Sequence, residues 1–459
     1  MDQITALSGT IVDLLWGPLL LVLLLGGGTY FLVRSRFMPY RYLGHAIALI
    51  RGKYDDPNDP GYISHGKALS AALAGTIGMG NIAGVAVAIH VGGPGAIFWM
   101  WMTAILGMAT KFFTCALAVM YRGEDREGDL QGGPMYVIKT ALPKPLHFLA
   151  YMFAIVGMVG ALPAVQTNQL VQAVRDLVVI EQGFAQAGDD LFLFNLVLGI
   201  FLAGITAIVM FGGLQRVARV TAAVVPTMSV LYISAALLAI VLNIEDVPGV
   251  ISLIVTDAFT GEAVAGGSVL AVIAYGIQRG AFSNEAGIGT ESLAHGAAKT
   301  REPIREGTVA MLGPVIDTLL VCTATAVMIL LTDTWHSDAA GVTLTANAFG
   351  TLLGPIGSMV VFVCVVFFAI TTMFTYSFYG SQCAKFMMSA NRARTYQWIY
   401  ISFIVVAAVV SIDLAFNLID ISFALMAFPT MISAIYLAPK VMQAARTYWA
   451  GLSAEEARK

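Results

Sequence analysis

The chain has 459 residues, of which 58% are hydrophobic and 12% are charged, and its formal net charge is −3. A soluble protein of this size carries about twice that share of charged residues, so the composition excludes a water-soluble globular protein. Apolar runs of helix length also exclude a transmembrane β-barrel, whose strands are short and alternating. The four cysteines form no CxxC pair that would indicate a zinc site, and no nucleic-acid partner is expected. We therefore expect a polytopic helical protein in the lipid bilayer.

Eleven segments are apolar and long enough to cross the hydrocarbon core as helices. In chain order, the predicted spans are 11–33, 68–91, 94–121, 146–174, 191–211, 218–243, 264–296, 308–332, 353–388, 395–413 and 417–444. The seventh and ninth spans are long, and their sequences indicate interrupted helices.

The positions of Lys and Arg predict the orientation of these spans. If the N-terminus lies outside, most of the 25 basic residues fall in connections that face the cytoplasm, and the C-terminus is cytoplasmic. The connections on the outer side contain acidic stretches, such as QAGDD at residues 186–190. Residues 34–67 are expected to be a connecting segment with one short amphipathic helix.

The ten helices after the first divide into two groups of five. Residues 1–67 form the leading helix and its connection, residues 68–243 the first repeat, and residues 244–459 the second repeat and tail. The first repeat begins inside and the second begins outside, so their topologies are inverted. Each opens with a glycine-rich, polar span, namely AGTIGMGNIAG at 74–84 and AYGIQRGAFSNEAGIG at 274–289. Paired broken helices at corresponding positions indicate a transporter binding site.

The chemistry of a broken helix indicates what binds there. Freed N–H groups and the positive end of a half-helix favour a carboxylate, and freed carbonyl groups favour Na⁺ or an ammonium group. A zwitterionic amino acid together with Na⁺ satisfies both ends. The alternative is that Gly80 and Gly84, four residues apart, form a helix-packing motif. The matching break in the seventh span favours the binding site.

Several motifs resemble those of the alanine or glycine:cation symporter family of prokaryotes. They are GTIGMGNIAGVAVAI (75–89), GGPGAIFWMW (92–101), GGPMYVI (132–138), RGAFSNEAGIGTESLAHGAA (279–298), DTLLVCTATAVMIL (317–330) and FFAITTMFTYSFYG (367–380). The resemblance spans most of the chain. It implies a LeuT-type fold of two inverted five-helix repeats with one extra N-terminal helix, located in the plasma membrane of the prokaryotic cell.

The resemblance also implies where the substrate binds. The implied substrate-binding residues are Thr76, Gly78, Met79, Gly80, Asn81, Gln166, Ile273, Gly276, Ile277 and Tyr376. Residues 78–81 would hold the carboxylate, Gln166 would contact the amino or carboxylate group, and the second break would fall at Gly276 and Ile277. The alternatives are that Gln166 only links helices and that the residues of the seventh span only pack.

A Na⁺ site is implied between the first repeat helix and the ninth helix. Its implied ligands are the carbonyl oxygens of Ala74, Ile77 and Phe368 and the hydroxyl oxygens of Thr371 and Thr372. The alternative is that the two hydroxyl groups hydrogen-bond to carbonyl groups of their own helix. No cofactor is expected beyond the coupling ion.

Charged residues within the spans are expected to be structural or to act in gating. They include Lys111, Arg279 and Glu285, and Arg279 is predicted to pair with Glu285 or Asp317.

The chain departs from the family pattern near the expected site. Thr375 and Tyr376 stand where the family usually has Gly and Trp, and Glu291 lies in a GTES sequence where the family usually has GSAP. Met79 replaces a residue that is often smaller or β-branched. These departures leave the identity of the amino acid open.

The sequence therefore predicts a secondary active transporter that imports a small neutral amino acid, of the alanine or glycine class, with Na⁺ by alternating access. The alternative keeps the fold but couples transport to H⁺, or carries another small zwitterionic solute. A channel or a membrane enzyme is disfavoured because the sequence shows neither a filter element nor a reactive cluster. No feature predicts an oligomeric state.

Overall fold

The computed structural model describes residues 2–125, 128–186, 188–261 and 268–456. Most of these residues are helical, and one short antiparallel pair is formed by β1 (Gly123–Glu124) and β2 (Leu130–Gln131). The chain begins with α1 (Asp2–Leu15), α2 (Pro18–Arg34), α3 (Met38–Arg41) and α4 (Leu43–Ile50).

The first predicted repeat contains a broken helix followed by four long helical regions. Its elements are α5 (His65–Thr76), a π-helical turn (Gly80–Gly84), α6 (Val85–Gly92), α7 (Ala96–Met120), α8 (Pro134–Ala141), a 3-10 turn (Lys144–Leu146), α9 (Phe148–Gly160), α10 (Ala164–Val174), a π-helical turn (Arg175–Ile180), α11 (Phe192–Met210) and α12 (Gly213–Leu242).

The second predicted repeat again contains a broken helix near its start. Its elements are α13 (Val247–Thr260), α14 (Val269–Asn284), α15 (Glu291–His295), α16 (Pro303–Ala310), α17 (Leu312–Pro314), a π-helical segment (Val315–Cys322), α18 (Thr323–Leu330), a 3-10 turn (Asp333–His336), α19 (Val342–Leu353), α20 (Pro355–Met387), α21 (Ala390–Ala407) and α22 (Ile412–Glu456). The short apolar helices α13 and α19 were not predicted from the sequence.

Length and composition identify the helices that can cross a membrane. Within the described ranges there are seven such helices, or up to nine if each of two bent pairs is one span. The bent pairs are Gln3–Leu15 with Pro18–Arg34, at 46°, and His65–Thr76 with Gly80–Gly92, at 49°. The chain is a multi-pass membrane protein, and the count of eleven spans stays a prediction. Residues 264–267 of the predicted seventh span lie outside the described residues.

The predicted break in the first repeat is confirmed, and the seventh span is interrupted, but the predicted position of the second break and the predicted interruption of the ninth span are wrong. The helix α14 runs through Gly276 and Ile277 without interruption and ends at Asn284. The chain leaves helical geometry at Glu285, whose φ is 55°, and this left-handed backbone conformation ends the helix. The helix α20 is continuous, because residues 358–379 contain neither Gly nor Pro.

The packing of the helices places both breaks in the protein interior. The helix α5 packs against α12 and α20, and α14 packs against α6 and α7. Gly80 lies where the two broken helices meet, because a Cβ atom there would be 3.2 Å from Ser283 Cα. Small residues at such crossings let two backbones approach closely.

Candidate functional site

The first helix breaks because its backbone finds a side-chain partner. Ile77 has φ −73° and ψ 99°, an extended conformation that ends α5. The N–H group of Gly78 then donates a hydrogen bond to Asn81 Oδ1 at 2.8 Å. The side chain of Asn81 thus replaces the carbonyl group that a continuous helix would supply. The break leaves the carbonyl end of α5 and the amino end of the segment Gly80–Gly92 close together in the interior.

A hydroxyl group of α20 faces this break. Thr372 Oγ1 is buried and has no hydrogen-bond partner among the described residues. It lies beside Gly78, since a Cβ atom on this glycine would be 2.6 Å from Thr372 Oγ1. A buried hydroxyl group without a partner is costly, so this oxygen has the position and the free capacity expected of a ligand.

The neighbouring hydroxyl group behaves differently. Thr371 Oγ1 donates to the carbonyl groups of Phe367, at 2.9 Å, and Phe368, at 3.1 Å. This is the alternative interaction expected for a threonine in a helix, although its oxygen can still accept or coordinate. Ala74, Ile77 and Phe368 are also buried.

Asp317 connects the two broken helices. Asn81 Nδ2 donates to Asp317 Oδ1 at 2.6 Å, and Ser283 Oγ of α14 donates to Asp317 Oδ2 at 2.8 Å. The carboxyl group also accepts from Thr318 Oγ1 at 2.7 Å. Asp317 lies in the π-helical segment Val315–Cys322, and such segments are frequent at functional sites. This role of Asp317 was not predicted from the sequence, where the available signal was an aspartate within an apolar span.

The remaining predicted substrate residues lie in the interior and differ in their burial and in their partners. Gln166 is 4% exposed, and its Oε1 has no hydrogen-bond partner within the described part of the chain. Gly276 faces α7, where an added Cβ atom would be 2.5 Å from the carbonyl oxygen of Ala96. Ile277 is buried and Ile273 is partly buried. The contact of Gly276 with α7 agrees with the packing alternative for this residue.

The other residues named from the sequence also lie in the interior. Met79 is 1% exposed and Thr76 is 3% exposed. The hydroxyl group of Tyr376 donates to Glu285 Oε1 at 2.6 Å, which joins α20 to the second break. Thr290 Oγ1 donates to Glu285 Oε2. Glu285 therefore holds the second break in place through one side chain five residues away and another that is 91 residues away.

The predicted partner of Arg279 is wrong. Its guanidinium group forms an ion pair with Asp420 of α22 rather than with Glu285 or Asp317. Gln278 Nε2 donates to the same carboxylate oxygen at 3.0 Å. Arg279 and Asp420 line a cavity of about 390 Å³. Pairing lowers the cost of keeping both charges out of water.

A second buried cluster lies on the side predicted to be cytoplasmic. Glu306 of α16 pairs with His65 at the start of α5 and with His295 of α15, the latter at 2.5 Å. Arg122 lies nearby at the end of α7, where its guanidinium group donates to the carbonyl oxygens of Gly296, at 2.7 Å, and of Thr300, at 2.9 Å. These contacts connect the ends of both broken helices to their neighbours.

Comparison with known proteins shows to which family the chain belongs. The sequence profile of the sodium:alanine symporter family matches residues 1–459. The chain belongs to this family. It is 37% identical over 460 residues to the sodium/alanine symporter AgcS of Methanococcus maripaludis, covering 98% of each chain. It is 33% identical to the putative sodium/proton-dependent alanine carrier protein YrbD of Bacillus subtilis, covering 95% of this chain and 90% of that protein. Members of this family are transporters, so the chain is not an enzyme.

A solved structure has a similar fold. The crystal structure of MhsT in complex with L-phenylalanine matches with a TM-score of 0.56 at 13% sequence identity, covering 83% of this chain and 98% of that chain. MhsT has the LeuT-type fold. The similarity indicates a shared fold, in agreement with the broken helices and their positions.

Proposed function

We propose that this chain imports a small neutral amino acid, of the alanine or glycine class, together with Na⁺ by alternating access. The observation that carries the proposal is the position of Thr372 Oγ1, which is buried, unpartnered among the described residues and adjacent to Gly78 at the break. A hydroxyl oxygen beside the carbonyl end of a half-helix suits a hard cation. The proposed Na⁺ ligands are the carbonyl oxygens of Ala74, Ile77 and Phe368 and the hydroxyl oxygens of Thr371 and Thr372.

The amino acid is proposed to bind next to this ion. The amino end of the segment Gly80–Gly92 favours the substrate carboxylate, and the carbonyl end of α5 favours positive charge. Met79, Ile273 and Ile277 supply apolar surface, which favours a neutral side chain over a charged one. Gln166 and Tyr376 are proposed as further contacts, and the unpartnered Oε1 of Gln166 can accept a hydrogen bond from an ammonium group.

Coupling follows from the shared position of the two ligands. A bound cation places positive charge near the substrate carboxylate, so each ligand raises the affinity of the other. Binding of both then shifts the population between states that are open to opposite sides. We propose that the N-terminus lies outside and the C-terminus in the cytoplasm of a prokaryotic cell, as the positions of Lys and Arg predict.

The alternative is coupling to H⁺, or transport of another small zwitterion. The buried carboxyl groups of Asp317, Glu285 and Glu291 favour this alternative as carriers of a proton. The name of the Bacillus subtilis relative includes both sodium and proton dependence.

The test is uptake of labelled alanine and glycine into proteoliposomes that contain the full-length protein. An imposed Na⁺ gradient should drive accumulation, whereas a K⁺ gradient or a pH gradient alone should not. Accumulation driven by the pH gradient without Na⁺ would overturn Na⁺ coupling and support the alternative.

A pair of threonine variants tests the proposed ion position. Thr372→Val should raise the Na⁺ concentration for half-maximal uptake at least tenfold, because hydrogen bonds and ligands to a charged group contribute about 1.5–3 kcal/mol each. Thr227→Val removes an exposed hydroxyl group that bonds to the Ala223 carbonyl in its own helix, and it should behave like the wild type. Equal Na⁺ dependence in both variants would place the ion elsewhere.

A further inference from the structure

A row of buried oxygen atoms continues along α20 beyond Thr372. The hydroxyl oxygens of Thr375 and Tyr379 have no hydrogen-bond partner among the residues described, and each residue is 1% exposed. The three residues are spaced by three and four positions, so they share one face of the helix. A rise of 1.5 Å per residue places Thr375 about 4.5 Å and Tyr379 about 10.5 Å along the axis from Thr372.

This face is turned towards the first broken helix. A Cβ atom on Gly75 would lie 3.2 Å from the hydroxyl oxygen of Tyr379 and 3.5 Å from Thr375 Cγ2. Thr375 and Tyr379 therefore flank the same glycine of α5. The buried and unpartnered hydroxyl oxygen of Tyr379 therefore lies between α5 and α20, free to bind a ligand, and the unpartnered hydroxyl group of Thr375 is one turn away on the same helix face.

A carboxylate oxygen without a hydrogen-bond partner lies on the neighbouring helix α15. Glu291 is fully buried, and α15 packs against α5, α7 and α20. Its Oε1 accepts a hydrogen bond from Thr114 Oγ1 at 3.1 Å, whereas its Oε2 has no partner in the described ranges. Because α15 packs against both α5 and α20, this unpartnered oxygen lies in the same region as the hydroxyl row.

Three buried carboxyl groups share one buried lysine in this part of the protein. Glu285, Glu291 and Asp317 are buried, and each interacts electrostatically with Lys111. Glu306 is instead paired with two histidines. Hydroxyl and carboxyl oxygens are hard ligands, which favour a hard cation such as Na⁺ over a soft one.

We propose that Thr375, Tyr379 and Glu291 form a second Na⁺ site, between the site at Thr372 and the cytoplasmic side. The inference rests on the proposed function, because it uses the same coupling ion.

The test counts bound ions directly. Equilibrium dialysis of the purified full-length protein against ²²Na⁺ should give two ions per chain for the wild type and one for Glu291→Gln or Thr375→Val. The control is Ser381→Ala, which removes another hydroxyl group of α20, one that donates to the Ser377 carbonyl at 2.7 Å. This variant should bind two ions.

The outcomes separate this inference from the proposed function. A wild type that binds one ion, lost in Thr372→Val but kept in Glu291→Gln, overturns the second site and leaves the first intact. A wild type that binds no Na⁺ overturns both. If Glu291→Gln does not fold, Thr375→Val and Tyr379→Phe decide, and two bound ions in both variants would overturn the second site.

Discussion

The substitution Asp317→Asn tests how the first break is held. The carboxyl group of Asp317 accepts hydrogen bonds from Asn81 at 2.6 Å, Ser283 at 2.8 Å and Thr318 at 2.7 Å. In the variant, an NH₂ group replaces one carboxyl oxygen. This group is a donor and cannot accept a hydrogen bond from another donor, so at least one of these three bonds is lost. A hydrogen bond to a charged group contributes about 1.5–3 kcal/mol, which corresponds to about a 10- to 150-fold change in affinity. Because Asn81 anchors the Gly78 N–H group, the affinities for both Na⁺ and alanine should fall by about that factor.

The assay is alanine binding to the purified full-length protein as a function of Na⁺ concentration, with thermal unfolding as a check that the variant is folded. Ser283→Ala is the matched comparison, because it removes a donor of the second broken helix and leaves the Asn81 anchor in place. We expect a smaller loss of Na⁺ affinity for Ser283→Ala than for Asp317→Asn. A folded Asp317→Asn protein with wild-type affinities would refute this reasoning.

Three further predictions concern helix packing, hydrogen bonds to the backbone and ion pairing. Gly276→Ala should lower the free energy of unfolding by about 1–3 kcal/mol, because the added methyl group overpacks against α7. Gly249→Ala is the control, since no atom lies within 4 Å of its new Cβ atom, and it should leave the free energy of unfolding unchanged. Thermal unfolding measures both variants. Arg122→Met should speed limited proteolysis of the 296–300 segment, because its carbonyl groups lose their donor; unchanged cleavage would contradict this. Arg279→Gln should cost about 3–5 kcal/mol by leaving a buried charge unpaired, and adding Asp420→Asn should restore part of that stability; a double variant less stable than Arg279→Gln would contradict the account.

The first break was predictable because its cause is local. Gly78 and Gly80 weaken the helix, and Asn81 lies three residues after the N–H group that it binds. The position of Thr372 opposite the break came from the family resemblance, and the structure brings the two residues together. The break was therefore predictable from the sequence alone, whereas the position of Thr372 opposite it was predicted from the family resemblance.

The second break was misplaced because its cause is not local. Glu285 adopts a left-handed conformation while it accepts hydrogen bonds from Tyr376, 91 residues away, and from Thr290. The partner of Arg279 is Asp420, 141 residues further along the chain. Neither helical periodicity nor charge spacing within one span predicts contacts over such separations, so both assignments needed the three-dimensional structure.

A cation bound at Thr372 and an amino acid bound at the break are expected to stabilise each other. The most direct measurement is alanine affinity with and without saturating Na⁺, paired with Na⁺ affinity with and without saturating alanine. We expect each ligand to raise the affinity of the other by the same factor, and we expect that K⁺ does not replace Na⁺. Alanine binding of equal affinity in Na⁺ and in K⁺ would contradict it.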